Sequence, residues 1–110
     1  MRTVRGAASD RVACAAIRAV FDAHAERLSL SSTKAMHGYC IGAAKAVELL
    51  ACLLALRTGT VPPTIKWRER DSDCSLDVVP NRARDVRVEA CPPNAFAFGG
   101  MNPVLALKAA

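Results

Sequence analysis

The chain predicts an α/β fold, and three segments carry that prediction: an amphipathic helical repeat near the start, an almost wholly apolar helix in the middle, and an alternating apolar–polar run near the end. Val12, Ala16, Ile17, Val20 and Phe21 recur at helical spacing with Arg11, Arg18 and Asp22 between them. This predicts a helix over about 10–25, capped by Ser9 or Asp10. Leu28 to Ser32 is short, alternates leucine with serine and runs into Ser31-Ser32-Thr33-Lys34, so it reads as a strand entering a turn. Gly38 and Gly42 punctuate the approach to the next helix. Residues of about 41–57 are apolar nearly all round, broken by Lys45 and Glu48, which predicts a core helix covered on most sides and lying against a mixed sheet. Thr58-Gly59 ends that helix, and Val61-Pro62-Pro63 forces an extended exit because proline lacks a donor and biases its predecessor away from helix. Trp67 to Asp73 and Pro80 to Asp85 read as surface connections. Val86, Val88 and Ala90 alternate with Arg87 and Glu89 as a half-buried strand should. Pro103 to Leu107 reads as a last strand, apolar on both faces. The predicted order is helix-strand-helix-strand-strand, with a loop after the second helix.

A length of 110 residues allows one domain, 1–110, and 52% hydrophobic with 23% charged residues excludes a disordered tail. Trp67, Tyr39, Phe21, Phe96 and Phe98 are the aromatic residues, so packing rests on small side chains and the core is marginal. The net charge of +5 raises a polyanion partner. The arginines are scattered, mostly beside Asp or Glu, instead of forming a stripe with interleaved aromatics, so no nucleic-acid partner is expected. Cys14, Cys40, Cys52, Cys74 and Cys91 form no C-x-x-C pair, and an odd number at irregular spacing predicts no disulfide framework and a reduced, cytoplasmic setting. With His24 and His37 they show no metal-ligand spacing, and no cofactor is expected. Asp10 and Arg11 interrupt any signal-peptide core, and the uncharged run Leu49 to Leu56 falls far short of a membrane span, so no membrane association is expected.

Two loops hold the candidate chemistry. In Phe96-Ala97-Phe98-Gly99-Gly100-Met101-Asn102, paired glycines after an aromatic permit a backbone that presents bare N–H groups to an anion or an oxyanion; the plain alternative is a tight turn between strands. Lys34, His37, Tyr39 and Cys40 crowd the approach to the core helix. Neither Cys40 nor His37 has an orienting carboxylate evident in the sequence, so Cys40 reads as inert packing and His37 as a solvated loop residue.

Taken in order, Leu30-Ser31-Ser32-Thr33-Lys34-Ala35-Met36-His37-Gly38, Gly42-Ala43-Ala44 entering an apolar helix, Pro62-Pro63-Thr64, Leu76-Asp77-Val78-Val79-Pro80-Asn81 and Asn94-Ala95-Phe96-Ala97-Phe98-Gly99-Gly100-Met101-Asn102 resemble the C-terminal part of a β-ketoacyl-acyl-carrier-protein synthase, a ketosynthase of the thiolase-like condensing enzymes. Ala16-Ile17-Arg18-Ala19-Val20-Phe21 fits as well, and residues 1–8 match poorly. The resemblance implies an incomplete C-terminal half of a thiolase-like fold. It covers the last quarter of such an enzyme, with the strand at 28–32 lacking its native neighbour and open edges beside Val86 to Ala90. A complementary ketosynthase-like chain is therefore an implied partner, and acyl carrier protein another.

The family condenses malonyl and acyl thioesters with loss of carbon dioxide, in fatty acid or polyketide biosynthesis, using a nucleophilic cysteine and two histidines. The resemblance puts the cysteine outside these residues. It places Arg2, Thr3, Val4 and Arg5 where a His-Gly-Thr-type motif belongs, and Tyr39 at the position of the second histidine. Lys34 matches the family lysine, in a supporting role. Phe98, with Gly99 and Gly100, matches the phenylalanine that gates the acyl pocket and contributes a backbone N–H to the oxyanion hole. Ala95, Ala97 and Met101 depart from the family pattern. So does Lys45, which replaces a glycine of the core helix and for which Glu48, three residues on, is the local partner. The implied function is a truncated ketosynthase-like protein, inactive alone; the alternatives are a non-catalytic partner shaping an acyl pocket, as chain-length factors do, or a gene remnant.

Overall fold

The computed structural model describes residues 7–38, 40–69, 72–93 and 104–110. Helix α1 (Ala7–Phe21) continues into a 3-10 turn over Asp22–Arg27. Asp22 takes a positive φ of 46°, a conformation incompatible with continued α-helix, and the helix tightens there. Asp10 is not the cap: it lies inside the first turn, fully buried, where the helix dipole favours a negative charge. The buried stripe of α1 runs through Asp10, Ala13 and Cys14, with Ile17 and Phe21 half-buried below, while Val12 and Val20 are exposed. The expected apolar face is thus correct at Ile17 and Phe21 and wrong at Val12, Ala16 and Val20. Small residues that add little to hydrophobic periodicity, Ala13 and Cys14, make the close contact instead.

Strand β1 (Ser29–Leu30) is short and does have a neighbour, contrary to expectation. It pairs in parallel with β3 (Asp77–Val78), in register Ser29↔Asp77 and Leu30↔Val78. The Val79 N–H bonds the Leu30 carbonyl at 2.9 Å, and the Thr64 N–H bonds the Val79 carbonyl at 2.8 Å. Val79 thus bonds both segments, and the Asn81 N–H returns to the Thr64 carbonyl at 3.0 Å, so the stretch from Leu76 to Asn81 lies between β1 and the Thr64 segment. Thr64 is itself buried and bridges Pro80 in parallel.

The short α2 (Lys34–His37) is followed by a 3-10 turn over Ile41–Ala43 and by α3 (Ala44–Thr58). Gly59 stops α3 at the expected place. Its φ of 69° is left-handed, and its N–H returns to the Ala55 carbonyl at 2.9 Å. As expected of the core helix, α3 lies against sheet strands: β2 (Thr60–Val61), β5 (Ala90–Cys91) and β6 (Leu107–Lys108). The cover on most sides is missing among the described residues: Ala44 and Ala55 are buried, but Leu50, Leu53 and Leu54 are exposed.

The alternating run Val86 to Glu89 keeps its predicted rhythm, with valines half-buried and charges exposed, yet it forms no ladder. Pairing falls on either side of it. β4 (Arg84–Asp85), within a stretch expected to be a surface connection, pairs antiparallel with β2, and β5 pairs antiparallel with β6. The last strand sits at Leu107–Lys108, later than expected, and Pro103 lies outside the described residues. Among the described residues the sheet consists of one parallel and two antiparallel two-stranded pieces.

The densest packing joins α1, its 3-10 extension and the segment before β3. Cys14, Ala25, Cys74 and Leu76 are buried together, with Ile17, Phe21 and Leu30 against them. Cys14 and Cys74 are joined as a disulfide across 60 residues of sequence. This corrects the expectation drawn from cysteine spacing, which cannot register a pairing made by tertiary approach. None of the described helices is long and apolar enough to cross a membrane.

An added Cβ at Gly59 would meet the Val86 carbonyl oxygen at 3.3 Å and would hold a left-handed φ. At Gly42 it would meet open space. Gly59→Ala is expected to lower unfolding stability by about 1–2 kcal/mol, and Gly42→Ala to leave it unchanged or slightly raised, by urea titration.

Candidate functional site

Lys34 opens α2 directly after β1 and the Ser31–Thr33 linker, and that linker is held from both sides. The Ser32 N–H bonds Thr64 Oγ1 at 2.9 Å, and the Ser31 hydroxyl donates to the Pro62 carbonyl. The proline-forced extended exit of α3 therefore serves as the wall on which the lysine turn rests. From there the Lys34 ammonium reaches α3 and pairs with Glu48. The two side chains are only 21% and 11% exposed, so the pair is largely withdrawn from water.

Spacing assigns Glu48 to Lys45, and the structure corrects this. A single carboxylate oxygen takes Lys34, while the Lys45 amine and the other Glu48 oxygen are shielded and find no hydrogen-bond partner among the described residues. Helical proximity of i and i+3 is outweighed by a lysine presented from another element. The glutamate is legible in the sequence as the odd charge in an apolar helix; its true partner, on a separate helix, is not.

The remaining residues of the loop do not assemble a nucleophile and base. His37 is exposed, with Nε2 3.1 Å from Thr33 Oγ1, and the exposed Cys40 places its sulfur 3.8 Å from the Gly38 carbonyl. Gly38 turns the chain out of α2 with a φ of 80°. Tyr39, Phe98, Gly99 and Gly100 lie outside the described residues, as do Arg2 and the other residues of the Asn94–Asn102 stretch. Among the described residues no group of His, Cys, Asp and Glu is arranged to hold a metal.

Asn81, past the end of β3, holds the Trp67 backbone with a two-way amide contact. Its Nδ2 donates to the Trp67 carbonyl at 2.8 Å, and its Oδ1 accepts from the Trp67 N–H at 3.0 Å. Asp77 accepts from both terminal nitrogens of Arg84, at 3.1 Å for Nη2, which holds the guanidinium above its ordinary pKa. Sequence reasoning missed this pair. A shallow cleft of about 260 Å³ lies beside it, lined by Trp67, Leu76, Asp77, Val78, Pro80 and Arg84, and Lys34 is not part of that lining.

Stranding one member of a buried ion pair costs roughly 3–5 kcal/mol, whereas replacing both by apolar residues is often close to neutral. Lys34→Met is accordingly expected to lose on the order of 3 kcal/mol of unfolding stability, and Lys34→Met combined with Glu48→Leu to recover most of it, by denaturant titration.

Residues 6–68 match the family of the β-ketoacyl synthase C-terminal domain. Nodulation protein E of Rhizobium sp. (strain N33) is 52% identical over 101 residues, which are 92% of this chain and 25% of that protein. The 3-oxoacyl-[acyl-carrier-protein] synthase 2 of Coxiella burnetii (strain RSA 493 / Nine Mile phase I) is 44% identical over 101 residues, 92% of this chain and 24% of that enzyme. The solved structure of the ishigamide ketosynthase/chain length factor superposes with a TM-score of 0.83 at 40% identity, over 96% of this chain and 26% of that one. The chain thus spans about a quarter of the length of the relatives it matches, and the mixed sheet pieces around α3 are part of a ketosynthase, thiolase-like fold. A lysine turn fixed on a glutamate of the core helix, the parallel pairing of β1 with β3 and the match over more than half its residues lead to one conclusion: the chain belongs to the β-ketoacyl synthase family, in its C-terminal domain.

Proposed function

We propose that these residues serve the decarboxylative condensation of malonyl and acyl thioesters carried by acyl carrier protein, as the C-terminal quarter of a ketosynthase, and that they do not turn over alone. The observation that carries the reading is the Lys34–Glu48 pair, which holds the residue matching the family lysine in a fixed, largely dry position at the junction of α2 and α3. Five positions along the chain lies Tyr39, where the family has a histidine. When carbon dioxide leaves the malonyl group, the bonding electrons pass into an enolate, whose oxygen needs a hydrogen-bond donor. A tyrosine hydroxyl offers one donor on a longer arm than an imidazole nitrogen, so Tyr39 weakens this step. Phe98, Gly99 and Gly100 supply the acyl-pocket gate and one oxyanion N–H. The nucleophilic cysteine comes from the portion of a ketosynthase outside the matched quarter, which makes a complementary ketosynthase-like polypeptide the principal partner.

A second reading is favoured by the likeness to the ishigamide ketosynthase/chain length factor. Here the chain shapes an acyl tunnel for a catalytic partner, and Tyr39 is neutral because the histidine chemistry is performed elsewhere.

Light scattering behind size exclusion, on the chain alone and then co-expressed with a ketosynthase-like polypeptide of its own cell, is expected to show a stoichiometric complex. In that complex Tyr39→His is expected to raise malonyl-carrier decarboxylation by about 100- to 1000-fold, the worth of one well-placed oxyanion donor. A complex in which the substitution changes nothing, while Phe98→Ala alters product chain length, selects the second reading. Condensation by the unpartnered chain, or absence of any complex, overturns the first.

A further inference from the structure

Two thiols that condensation does not use meet between α3 and β5. Cys52 lies midway along the helix and Cys91 ends the strand, and their sulfurs are 2.7 Å apart across 39 residues of sequence. Both are free and half-buried. A disulfide bond is about 2.05 Å long, so a fraction of an ångström separates the pair from bonding distance. Cys40, the remaining free cysteine, is exposed and has its sulfur on a backbone carbonyl instead.

The two thiols are not equivalent. The hydrogen bond between them pushes Cys52 above the ordinary thiol range, with burial and the charge of Glu48 adding to it, and pulls Cys91 below that range. Cys91 is therefore the member that ionises first, and thiolate is the form that attacks a disulfide.

We propose that Cys52 and Cys91 constitute a dithiol/disulfide site, oxidised by low-molecular-weight disulfides, that fastens the β5–β6 pair to α3. The Cys91 thiolate attacks one sulfur of the oxidant, whose S–S bond breaks and releases a first thiolate. Cys52 then gives up its proton and its sulfur displaces the second. The two cysteine sulfurs lose two electrons; the oxidant gains them and leaves as two thiols carrying the two protons. Position gives the bond its consequence. β5 leads into, and β6 follows, the stretch that contains Phe98, Gly99 and Gly100, so the bond pins the strand entering that stretch to the helix that holds Glu48.

The test uses the full chain, reduced and then exposed under native conditions to oxidised glutathione, quenched by alkylation and mapped without reduction. A linked Cys52–Cys91 peptide is expected beside Cys14–Cys74, with Cys40 alkylated or glutathionylated. Loop-closure entropy favours Cys40–Cys52 in an unordered chain, so dominance of the longer loop reports the folded geometry. Cys52→Ser is expected to leave Cys91 holding glutathione, and oxidation to raise the Tm of the natural sequence by at least about 4 °C more than it raises that of Cys52→Ser, in which Cys14–Cys74 re-forms alike. Pairing of Cys52 with Cys40, persistent alkylation of Cys91 or an equal rise in Tm in the two chains overturns the proposal. The outcome is independent of whether the chain takes part in condensation.

Discussion

The placement of β1 and of the proline exit from α3 traces back to the stretch from Leu76 to Asn81, whose backbone is bonded on both sides. Val79 gives its N–H to Leu30 and its carbonyl to Thr64, so a single residue ties the strand after α1 to the segment after α3. Leu76 and Val79 are each 1% exposed, so these bonds are formed where water cannot replace them and breaking them would strand polar groups. Cys74 sits just upstream, bonded to Cys14 of α1, which fixes the first helix to the same spine. With both neighbours located, the linker from β1 into α2 and the proline exit from α3 are drawn together, and Lys34 arrives opposite Glu48.

That ion pair is the point at which architecture becomes chemistry. A partly buried carboxylate is worth keeping only if a cation is delivered to it, and here the cation comes from another element, not from the next turn of its own helix. Lys45, on the same helix, has its amine shielded and unbonded among the described residues.

The exposed face of α3 fits the family assignment. Leu50, Leu53 and Leu54 on the helix, with Ile41 and Met36 before it, place large aliphatic groups in water. The chain spans about a quarter of the relatives it matches. One cysteine pair binds α1 to the stretch before β3, and another lies between α3 and β5.

The amino-acid order alone was enough for the two long helices, for the stop at Gly59 and for the family, because 3.6-residue periodicity, a left-handed cap followed by prolines, and short motifs such as Ser31-Ser32-Thr33-Lys34 and Leu76-Asp77-Val78-Val79-Pro80-Asn81 are local properties; the short α2 was read as part of a turn. Tertiary structure alone decided which strands pair, which face of α1 is buried, that Glu48 serves Lys34 instead of Lys45, and that Cys14 finds Cys74. Each of these depends on which distant residue arrives at a given point in space. Alternation at Val86 to Glu89 describes a surface half in contact with the interior, but a ladder also needs a partner backbone, and the partners lie opposite Arg84–Asp85 and Ala90–Cys91. Spacing along one chain carries no information about that arrival, and the helix that looked uniformly buried shows why: its composition records what it can bury, while its neighbours determine what it does.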